Sequence, residues 1–281
     1  MNEAPSTTHR APKHRPQAVL RVKAKRRLSP RLTRVILEGD GVRELKRNDH
    51  ADHYVKLLLP QPGSGLRPPF DLDEIRQQNP ELLPSKRTYT IRHWDVDAGE
   101  LWLDVVIHSE AGSIGIASDW ADTAVPGDEV AVTGAGGAYT PRDDAAMHLL
   151  VGDHSAVPAI ASALEAMPAD ACGTALIHLE HEEDCIPLPH VPGIEVRWII
   201  GQRSELVRAV RELDIDPALI AEGAVHVFAH LERGAVKELR HHFVTTLGIR
   251  REHISISAYW ALGRAEDQFQ AEKREAIGQI D

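Results

Sequence analysis

Residues 147–168, "MHLLVGDHSAVPAIASALEAMP", have the pattern of a buried strand that turns directly into a helix. The first seven residues are almost continuously apolar, whereas the apolar residues after Asp153 recur at helical spacing. Asp153 or Ser155 can cap the helix, and Pro158 stands in the first turn, where proline is tolerated. The stretch therefore predicts a strand–helix unit of an α/β domain.

The chain after this unit repeats the same alternation. The further predicted strands are 174–181, 194–201, 224–231 and 253–260, and the predicted helices are 204–213 and 233–248. Continuous apolar strands separated by helices indicate a mostly parallel sheet that is covered on both faces. The charged residues 263–279 predict a C-terminal helix that packs over a cleft.

The chain before residue 145 consists of short β-prone runs separated by glycine and proline. These runs are 18–39, 53–60, 87–94, 100–108 and 128–134, with a polar insertion at 68–86. Short strands without long helical patterns between them predict an antiparallel β-barrel. The predicted organisation is a disordered leader (1–17), a barrel domain (18–142) and a Rossmann-like α/β domain (146–281). Ligands of such sheets bind at the carboxyl ends of the strands, and clefts between domains are favoured pockets.

Composition narrows the classes of function. The formal charge of −10 makes binding to nucleic acid unexpected. No apolar run approaches the roughly 20 residues that span a bilayer, and no signal sequence is present at the N-terminus. The two cysteines, Cys172 and Cys185, are too few for a disulfide framework. We therefore expect a cytoplasmic protein with no membrane span.

Residues 85–94, "SKRTYTIRHW", place cations, hydroxyls and an aromatic ring on one strand. Alternation puts Arg87, Tyr89 and Ile91 on one face and the threonines with Arg92 on the other. An arginine fork and a flat ring suit a ligand that has a diphosphate and a planar ring system. The alternative is a half-exposed barrel strand with solvated arginines.

Residues 105–121, "VVIHSEAGSIGIASDWA", predict a strand, a glycine-containing loop and the start of a short helix. Free backbone N–H groups at a helix start can bind a pyrophosphate. The alternative is an ordinary capped helix, since such starts are frequent after Gly-Ser loops.

Taken together, "RTYTIR" (87–92) and "GIASDWA" (115–121) resemble the flavin-binding signatures of the siderophore-interacting proteins. These are FAD-containing ferric-siderophore reductases, a branch of the ferredoxin-reductase-like flavoproteins. The resemblance covers nearly the whole chain from about residue 18 and includes the segments 53–60, 105–108, 151–173 and 257–276.

The resemblance implies a role for individual positions. Arg87 would hold the FAD diphosphate, Tyr89 would pack on the isoalloxazine and Thr90 would lie near its N5. The other implied cofactor contacts are Thr88, His108, Gly115, Ala117 and Ser118. Lys56 would stand at the mouth of the siderophore pocket, with Arg142 or Arg264 as additional cations.

The chain departs from the family pattern at several of these segments. Ile116 and Asp119 stand where proline and arginine are more usual, and His154 replaces an acidic residue. His230 and Leu231 replace a small residue and a glycine before Glu232. The implied nicotinamide side of the second domain comprises Asp153, His154, Ser155 and Glu232. A leucine at 231 would block close approach there, so the sequence supports FAD binding better than the use of NADPH or NADH.

Other chemistry is less well supported. The atoms of His178, His181, Cys185 and His190 suit zinc, but their spacing matches no usual zinc site, so we predict no metal. The glycine-rich segment 134–139 predicts a turn and not a dinucleotide fingerprint.

The predicted function is FAD-dependent reduction of a ferric siderophore, which releases Fe(II), with electrons from NAD(P)H or a ferredoxin-type donor. Thr90 and Tyr89 would tune the flavin, and no protein nucleophile is required. Two alternatives remain: a protein that binds or senses iron–siderophore without efficient turnover, and a flavin reductase with a different acceptor.

Overall fold

The computed structural model describes residues 16–110, 113–264, 266–273 and 275–280. The first eight strands are β1 (Gln17–Ser29), β2 (Leu32–Glu38), β3 (Tyr54–Leu59), β4 (Ser85–Asp95), β5 (Glu100–Val106), β6 (Ser109–Glu110), β7 (Ser113–Ile114) and β8 (Glu129–Gly136). All except β6 and β7 close into an antiparallel barrel with the order β1-β2-β5-β4-β3-β8. The predicted barrel is confirmed.

Three short helices accompany the barrel: α1 (Gly41–Glu44), α2 (Leu72–Gln78) and α3 (Ile116–Thr123). α2 lies in the polar insertion, and the side chain of Asp71 caps it by accepting from the N–H groups of Asp73 and Glu74. The segment predicted as a glycine-rich turn is partly strand, because β8 continues through Gly136. A side chain at Gly136 would overlap the ring of Tyr54. Glycine there leaves room for the ring.

The second domain is a five-stranded parallel sheet. Its strands are β9 (Met147–Asp153), β10 (Cys172–Leu179), β11 (Gly193–Ile200), β12 (Val225–Glu232) and β13 (Ile254–Trp260). Their order is β11-β10-β9-β12-β13, and every neighbouring pair is parallel. The helices are α4 (Val157–Ala166), α5 (Arg203–Arg211), α6 (Pro217–Glu222), α7 (Arg233–His241) and α8 (Glu266–Glu272). The predicted α/β domain with a C-terminal helix is confirmed.

Close packing of α4 on the sheet explains why residue 152, within the segment 147–168, is a glycine. A Cβ at Gly152 would lie 2.6 Å from the Cβ of Ala156 and 2.8 Å from Cδ1 of Ile160. Both distances are shorter than van der Waals contact, so a larger residue would push α4 away from β9.

The two faces of the sheet bury different sets of residues. Val227, Ala229 and Leu231 of β12 pack in the core under α5 and α7, whereas Phe228 packs in the core shared with α4 and the barrel. The leucine at 231 was expected to block the close approach of a ligand. The side chain does not do so, because it is fully buried on the face away from the barrel. Alternation along β12 decides this.

Ion pairs join the two domains. Arg92 of β4 forms a two-pronged pair with Glu165 of α4, with N···O distances of 2.8 and 2.7 Å. Between β1 and β2, Arg31 donates to Asp184 at 2.7 Å, and the Ser29 hydroxyl donates to the same carboxylate at 2.8 Å. α8 also lies against β4. The barrel and the sheet are therefore held in one orientation by contacts at several points.

None of the described helices is long and apolar enough to cross a membrane.

Two histidines of β12 are buried on the barrel-facing side. His226 stacks on Tyr139 with ring centroids 5.0 Å apart, and His230 lies 3.9 Å from the ring of Phe228. Burial lowers the pKa of His230 to about 3. Burial, with His148 and Arg142 nearby, lowers the pKa of His226 to about 4. Both imidazoles are therefore neutral in the folded protein at neutral pH.

We expect the free energy of unfolding to decrease as the pH falls from about 6.5 towards 4. In the unfolded chain these histidines bind a proton near pH 6.5. In the folded protein they bind it only at the lower pH of their shifted pKa values, so acid favours the unfolded state. Each histidine contributes at most about 1.4 kcal/mol per pH unit. Urea unfolding across this range measures the slope, and His226→Gln should reduce it. The same slope in the variant would contradict the assignment.

Candidate functional site

One face of β4 turns towards the barrel core. The register with β3 pairs Tyr89 with Val55 and Arg87 with Leu57, and both partners are fully buried in that core. Tyr89 packs against the same core, and Nη1 of Arg87 donates to the carbonyl of Lys86 at 2.9 Å. The predicted alternation of this strand is confirmed.

The opposite face of β4 meets the second domain. Thr90 is only 7% exposed, and it is among the groups whose proximity influences the pKa of Tyr259 in β13. Arg92 holds α4 through the ion pair described above, and Thr88 remains exposed. The hydroxyl of Thr90 therefore lies at the junction of the two domains.

Lys56 lies on this outward side of the barrel. It pairs across the ladder with Thr88 of β4 and Thr133 of β8. Its side chain is half-buried and makes no hydrogen bond or ion pair within the described part of the chain. A cation in this position is available to an anionic ligand.

The start of α3 lies beside the end of β5. The Ser118 hydroxyl donates to the carbonyl of Val106 at 3.1 Å and accepts from the N–H of His108 at 3.3 Å. β4 pairs with β5, where Ile91 lies opposite Leu103, and α3 packs against the same strand. The two segments that resemble flavin-binding signatures therefore both lie against β5.

The side chains of α3 limit what its first turn offers a ligand. Ser118 is 2% exposed with its hydroxyl engaged, and Ala117 is buried in the barrel core, so neither side chain is presented to a phosphate. This corrects the expected hydroxyl contact from Ser118. Gly115 caps the helix without a side-chain hydrogen bond, which leaves backbone N–H groups at the helix start for an anion. His108 is exposed. It lies beside Gly115, because a Cβ at Gly115 would be 3.4 Å from Cε1 of His108.

The departures on α3 have different consequences. Ile116 packs against the barrel core, while the carboxylate of Asp119 is exposed in the first turn. A negative charge near a helix start competes with a bound anion for the positive end of the helix dipole.

Asp153 ties together the carboxyl ends of three strands. Its Oδ2 accepts from the N–H of Glu232 at 2.9 Å and from Nε1 of Trp260 at 2.8 Å. Its Oδ1 accepts from both the N–H and the hydroxyl of Ser155. The carboxylate is 3% exposed, so its acceptor sites are used inside the protein.

Glu232 is similarly engaged. Its Oε2 caps α7 by accepting from the N–H groups of Gly234 and Ala235 at 2.6 and 3.2 Å. Its Oε1 accepts from the N–H of Leu262 at 3.2 Å, which anchors the loop after β13. Both acidic residues of the implied nicotinamide side therefore organise the carboxyl edge of the sheet.

His154 faces the domain junction. Burial lowers its pKa, and Asp184 and Arg31 of the interdomain ion pair are among the surrounding charges. Its Nε2 is buried and has no hydrogen-bond partner among the described residues. The substitution of an acidic residue by His154 thus places a neutral ring beside the barrel.

Arg142 lies far from the carboxyl edge of the sheet. Its guanidinium pairs with Asp144 through two bonds of 2.9 Å and donates to the carbonyl of Gly223 at 3.2 Å. Gly223 precedes β12, whereas Glu232 ends it, so Arg142 lies roughly 23 Å from the carboxyl edge. Its role as a substrate cation stays a prediction, which the pairing with Asp144 does not favour.

Arg264 lies near the carboxyl edge but is already paired. Its Nε donates to Oε1 of Glu272 at 2.7 Å, and Arg233 donates to Oε2 of the same carboxylate at 2.6 Å. These two arginines lower the pKa of Glu272. Arg264 therefore closes α8 onto the second domain and adds little free positive charge.

Sequence reasoning did not single out Arg203. This residue begins α5, and its guanidinium lies 4.6 Å from the ring centroid of Trp260. Its Nε is buried without a hydrogen-bond partner in the described ranges. The sequence feature that could have identified it is its position just after the apolar strand β11. A cation at that position lies at the carboxyl edge of the sheet.

Among the described residues, no three histidine, cysteine, aspartate or glutamate side chains are placed to hold a metal ion. His178, considered above for zinc, uses its Nε2 in a 2.8 Å hydrogen bond with the carbonyl of Gly201.

Comparisons with known proteins agree with this geometry. Residues 21–139 match the model of a siderophore-interacting FAD-binding domain, and residues 145–263 match the model of a siderophore-interacting protein. The chain is 38% identical over 274 residues to the uncharacterized protein Rv2895c of Mycobacterium tuberculosis, covering 93% of this chain and 96% of that protein. It is 28% identical over 253 residues to the ferric vibriobactin reductase ViuB of Vibrio cholerae, covering 89% and 91%.

Solved structures show the same similarity. The siderophore-interacting protein SipS from Aeromonas hydrophila superimposes with a TM-score of 0.78 at 28% identity, covering 94% of this chain and 99% of that one. A ferredoxin-NADP+ reductase from Plasmodium falciparum superimposes with a TM-score of 0.63 at 10% identity, covering 86% and 96%. The second likeness concerns the fold alone and places it among the ferredoxin-reductase-like folds.

Proposed function

This chain belongs to the siderophore-interacting protein family, and we propose that it is an FAD-dependent reductase of ferric siderophores. The observation that carries the proposal is that the "RTYT" strand, β4, and the uncapped start of α3 both lie against β5. Bound FAD would supply the redox chemistry, because a flavin takes two electrons from a donor and passes them on singly.

The residues present fit FAD, each through a different interaction. Arg87 is the cation for the diphosphate, and the N–H groups at the start of α3 add donors for its oxygens. Tyr89 offers a ring at the edge of the barrel core, and Thr90 offers a hydroxyl at the domain junction. Thr88 and His108 are both exposed. Their role is binding and orientation.

The substrate side of the proposal rests on Lys56. Iron–siderophore complexes are often anionic, and a half-buried lysine without a counter-ion in the described structure attracts such a ligand. Hard oxygen ligands hold Fe(III) more tightly than Fe(II), so one-electron reduction loosens the metal. The proposed role in the cell is release of iron in the cytoplasm.

The proposed electron donor is NADPH or NADH at the carboxyl edge of the parallel sheet. Ligands of open α/β sheets bind at this edge, and Arg203 and the ring of Trp260 are the groups there that suit a nucleotide. A ferredoxin-type protein is the second candidate donor.

One experiment tests the function. Purified protein should be yellow, bleach anaerobically with NADPH or NADH, and regain its colour when a ferric siderophore is added, with Fe(II) trapped by a chromogenic chelator. Protein that cannot be loaded with FAD would refute the proposal. Loaded protein that ignores both nicotinamides but is oxidised by the iron complex would assign a different donor.

A binder or sensor of iron–siderophore is the second candidate. It is favoured by the engagement of both Asp153 and Glu232 in internal hydrogen bonds, together with the exposed carboxylate of Asp119 near the helix start. Colourless protein that binds the ferric complex would support it. A flavin reductase with another acceptor would bleach but would not be reoxidised by the iron complex.

Replacing Lys56 with glutamine should weaken the siderophore step and leave flavin reduction unchanged. Measured surface ion pairs contribute up to about 1 kcal/mol, so KM for an anionic ferric siderophore should rise up to about fivefold. Steady-state kinetics with anionic and neutral siderophores measures this. Lys46→Gln, at an exposed site outside β3, serves as the control. An equal rise for the neutral complex would exclude the electrostatic role.

A further inference from the structure

The parallel sheet of the second domain ends on one side at β11. Within the described ranges β10 is the only strand that pairs with it, because the order is β11-β10-β9-β12-β13. The strand is eight residues long, and none of them is a proline. An edge strand of this kind offers a row of N–H and C=O groups to another chain.

Two backbone hydrogen bonds show which groups of β11 point away from β10. The N–H of Gly201, directly after the strand, donates to the carbonyl of Leu179 in β10 at 3.0 Å. The N–H of Ile194 instead donates to the carbonyl of Val191, in the turn before the strand, at 3.0 Å. Backbone groups of successive residues in a strand alternate between its two sides, so the odd-numbered residues bond to β10. The residues that direct N–H and C=O groups to the free edge are Val196, Trp198 and Ile200.

The side chains along this edge are of two kinds. Glu195 and Arg197 form an ion pair of 2.5 Å on one face of the sheet, and their side chains are 58% and 47% exposed. On the other face, Val196 and Trp198 line a cavity of about 210 Å³ beneath the loop 186–191. The edge therefore offers complementary charges on one face and apolar surface on the other.

A second, antiparallel β11 pairs opposite charges in a single register. Residues that face each other across an antiparallel ladder must point their backbone groups the same way, so the two-fold axis passes through one residue. An axis at Glu195 or at Arg197 sets like charges against each other. An axis at Val196 sets Glu195 of each copy against Arg197 of the other. It also sets Ile194 against Trp198 beside the apolar cavity, and pairs of both kinds stabilise a sheet.

We propose that a second copy of this chain adds to β11 in the register centred on Val196, which joins the two parallel sheets into one continuous sheet. The ladder uses the N–H and C=O groups of Val196 in both directions, and the N–H of Trp198 donates to the carbonyl of Ile194 in the other copy. The interface is isologous, as a closed dimer requires. Because the two β11 strands are antiparallel, the carboxyl edges of the two sheets point in opposite directions, and the two candidate sites face away from each other.

The first test is analytical ultracentrifugation of the full chain over a range of concentrations. The mass should rise from 31.0 kDa towards twice that value. Glu195→Arg and Arg197→Glu should each weaken dimerisation about tenfold or more, because each change turns two attractive cross-strand pairs into repulsive ones. The double variant Glu195→Arg/Arg197→Glu restores opposite charges across the axis and should dimerise like the wild type.

Glu222→Arg is the matched control, since it makes the same change of charge at an exposed site at the end of α6. Its dimerisation should equal that of the wild type. A wild type that stays at 31.0 kDa at every concentration would overturn the proposal. So would a dimer that both single variants leave intact, a double variant no stronger than the single ones, or an equal loss in Glu222→Arg.

The second test locates the interface by amide hydrogen exchange in dilute and concentrated samples. The amides of Val196 and Trp198 should exchange more slowly in the concentrated sample, because only the second copy protects them. The amides of Glu195 and Arg197 bond to β10 and should exchange alike in both samples. Equal exchange of Val196 and Trp198 at both concentrations would overturn the proposal even if the mass doubles, because another surface would then join the copies. Neither measurement requires bound FAD, so the result is independent of the proposed function.

Discussion

Replacing Arg87 with alanine should weaken FAD binding at least about 100-fold. Each charge-assisted hydrogen bond from a guanidinium contributes about 1.5 to 3 kcal/mol, and an arginine fork forms two such bonds with a diphosphate. The hydrogen bond from Nη1 to the carbonyl of Lys86 holds the guanidinium along β4. Fluorescence titration of apo-protein with FAD gives the dissociation constants.

Arg26→Ala controls for the loss of one positive charge, because Arg26 is exposed on β1 of the same barrel. Its affinity for FAD should match that of the wild type. Arg87→Lys keeps the charge without the fork and should lie between the two. If Arg87→Ala binds FAD as tightly as Arg26→Ala, the placement of the diphosphate on β4 is wrong.

Replacing Asp153 with alanine should have the largest effect on stability. The change removes the acceptor of Trp260 Nε1 and of the N–H of Glu232, as well as both bonds from Ser155. Buried donors left without acceptors cost about 1 to 3 kcal/mol each, so we expect a loss of about 3 to 5 kcal/mol. Thermal unfolding should show a decrease in Tm of roughly 10 °C.

Ser155→Ala is the matched control, since it removes a single side-chain bond to the same carboxylate. It should lower the free energy of unfolding by about 1 kcal/mol. Equal melting temperatures for the two variants would show that the carboxylate does not join the strand ends. Arg87→Ala apo-protein should melt close to the wild type, which separates the loss of cofactor from the loss of the fold.

Local patterns were enough to predict the strands of the barrel and sheet, the longer helices of the second domain and the faces of β4, but not the short helices α1 and α6. Period-two alternation placed Arg87 and Tyr89 opposite Thr90 and Arg92, and the register with β3 agrees. The strand–helix unit at 147–168 appears as β9, a 3₁₀ turn and α4, with Asp153 capping the turn. Such patterns succeed because burial of one face is a local property of the sequence.

Local patterns were not enough to show which polar atoms remain available to a ligand. Ser118 has the chemistry to contact a phosphate, but its hydroxyl is used by Val106 and His108. Arg264 has the charge for a siderophore, but Glu272 neutralises it. Whether such polar atoms are available to a ligand depends on hydrogen-bond partners distant in sequence, which a short motif does not include.

The sequence by itself determined the order of barrel and sheet, the orientation of β4 and the family to which the chain belongs. Only the tertiary structure decided that Asp153 meets Trp260, 107 residues away, and that Tyr259, His230 and Ser255 share one line of hydrogen bonds. The physical reason is that side-chain periodicity is set by neighbours along the chain, whereas satisfaction of buried polar atoms depends on which strand ends the fold brings together.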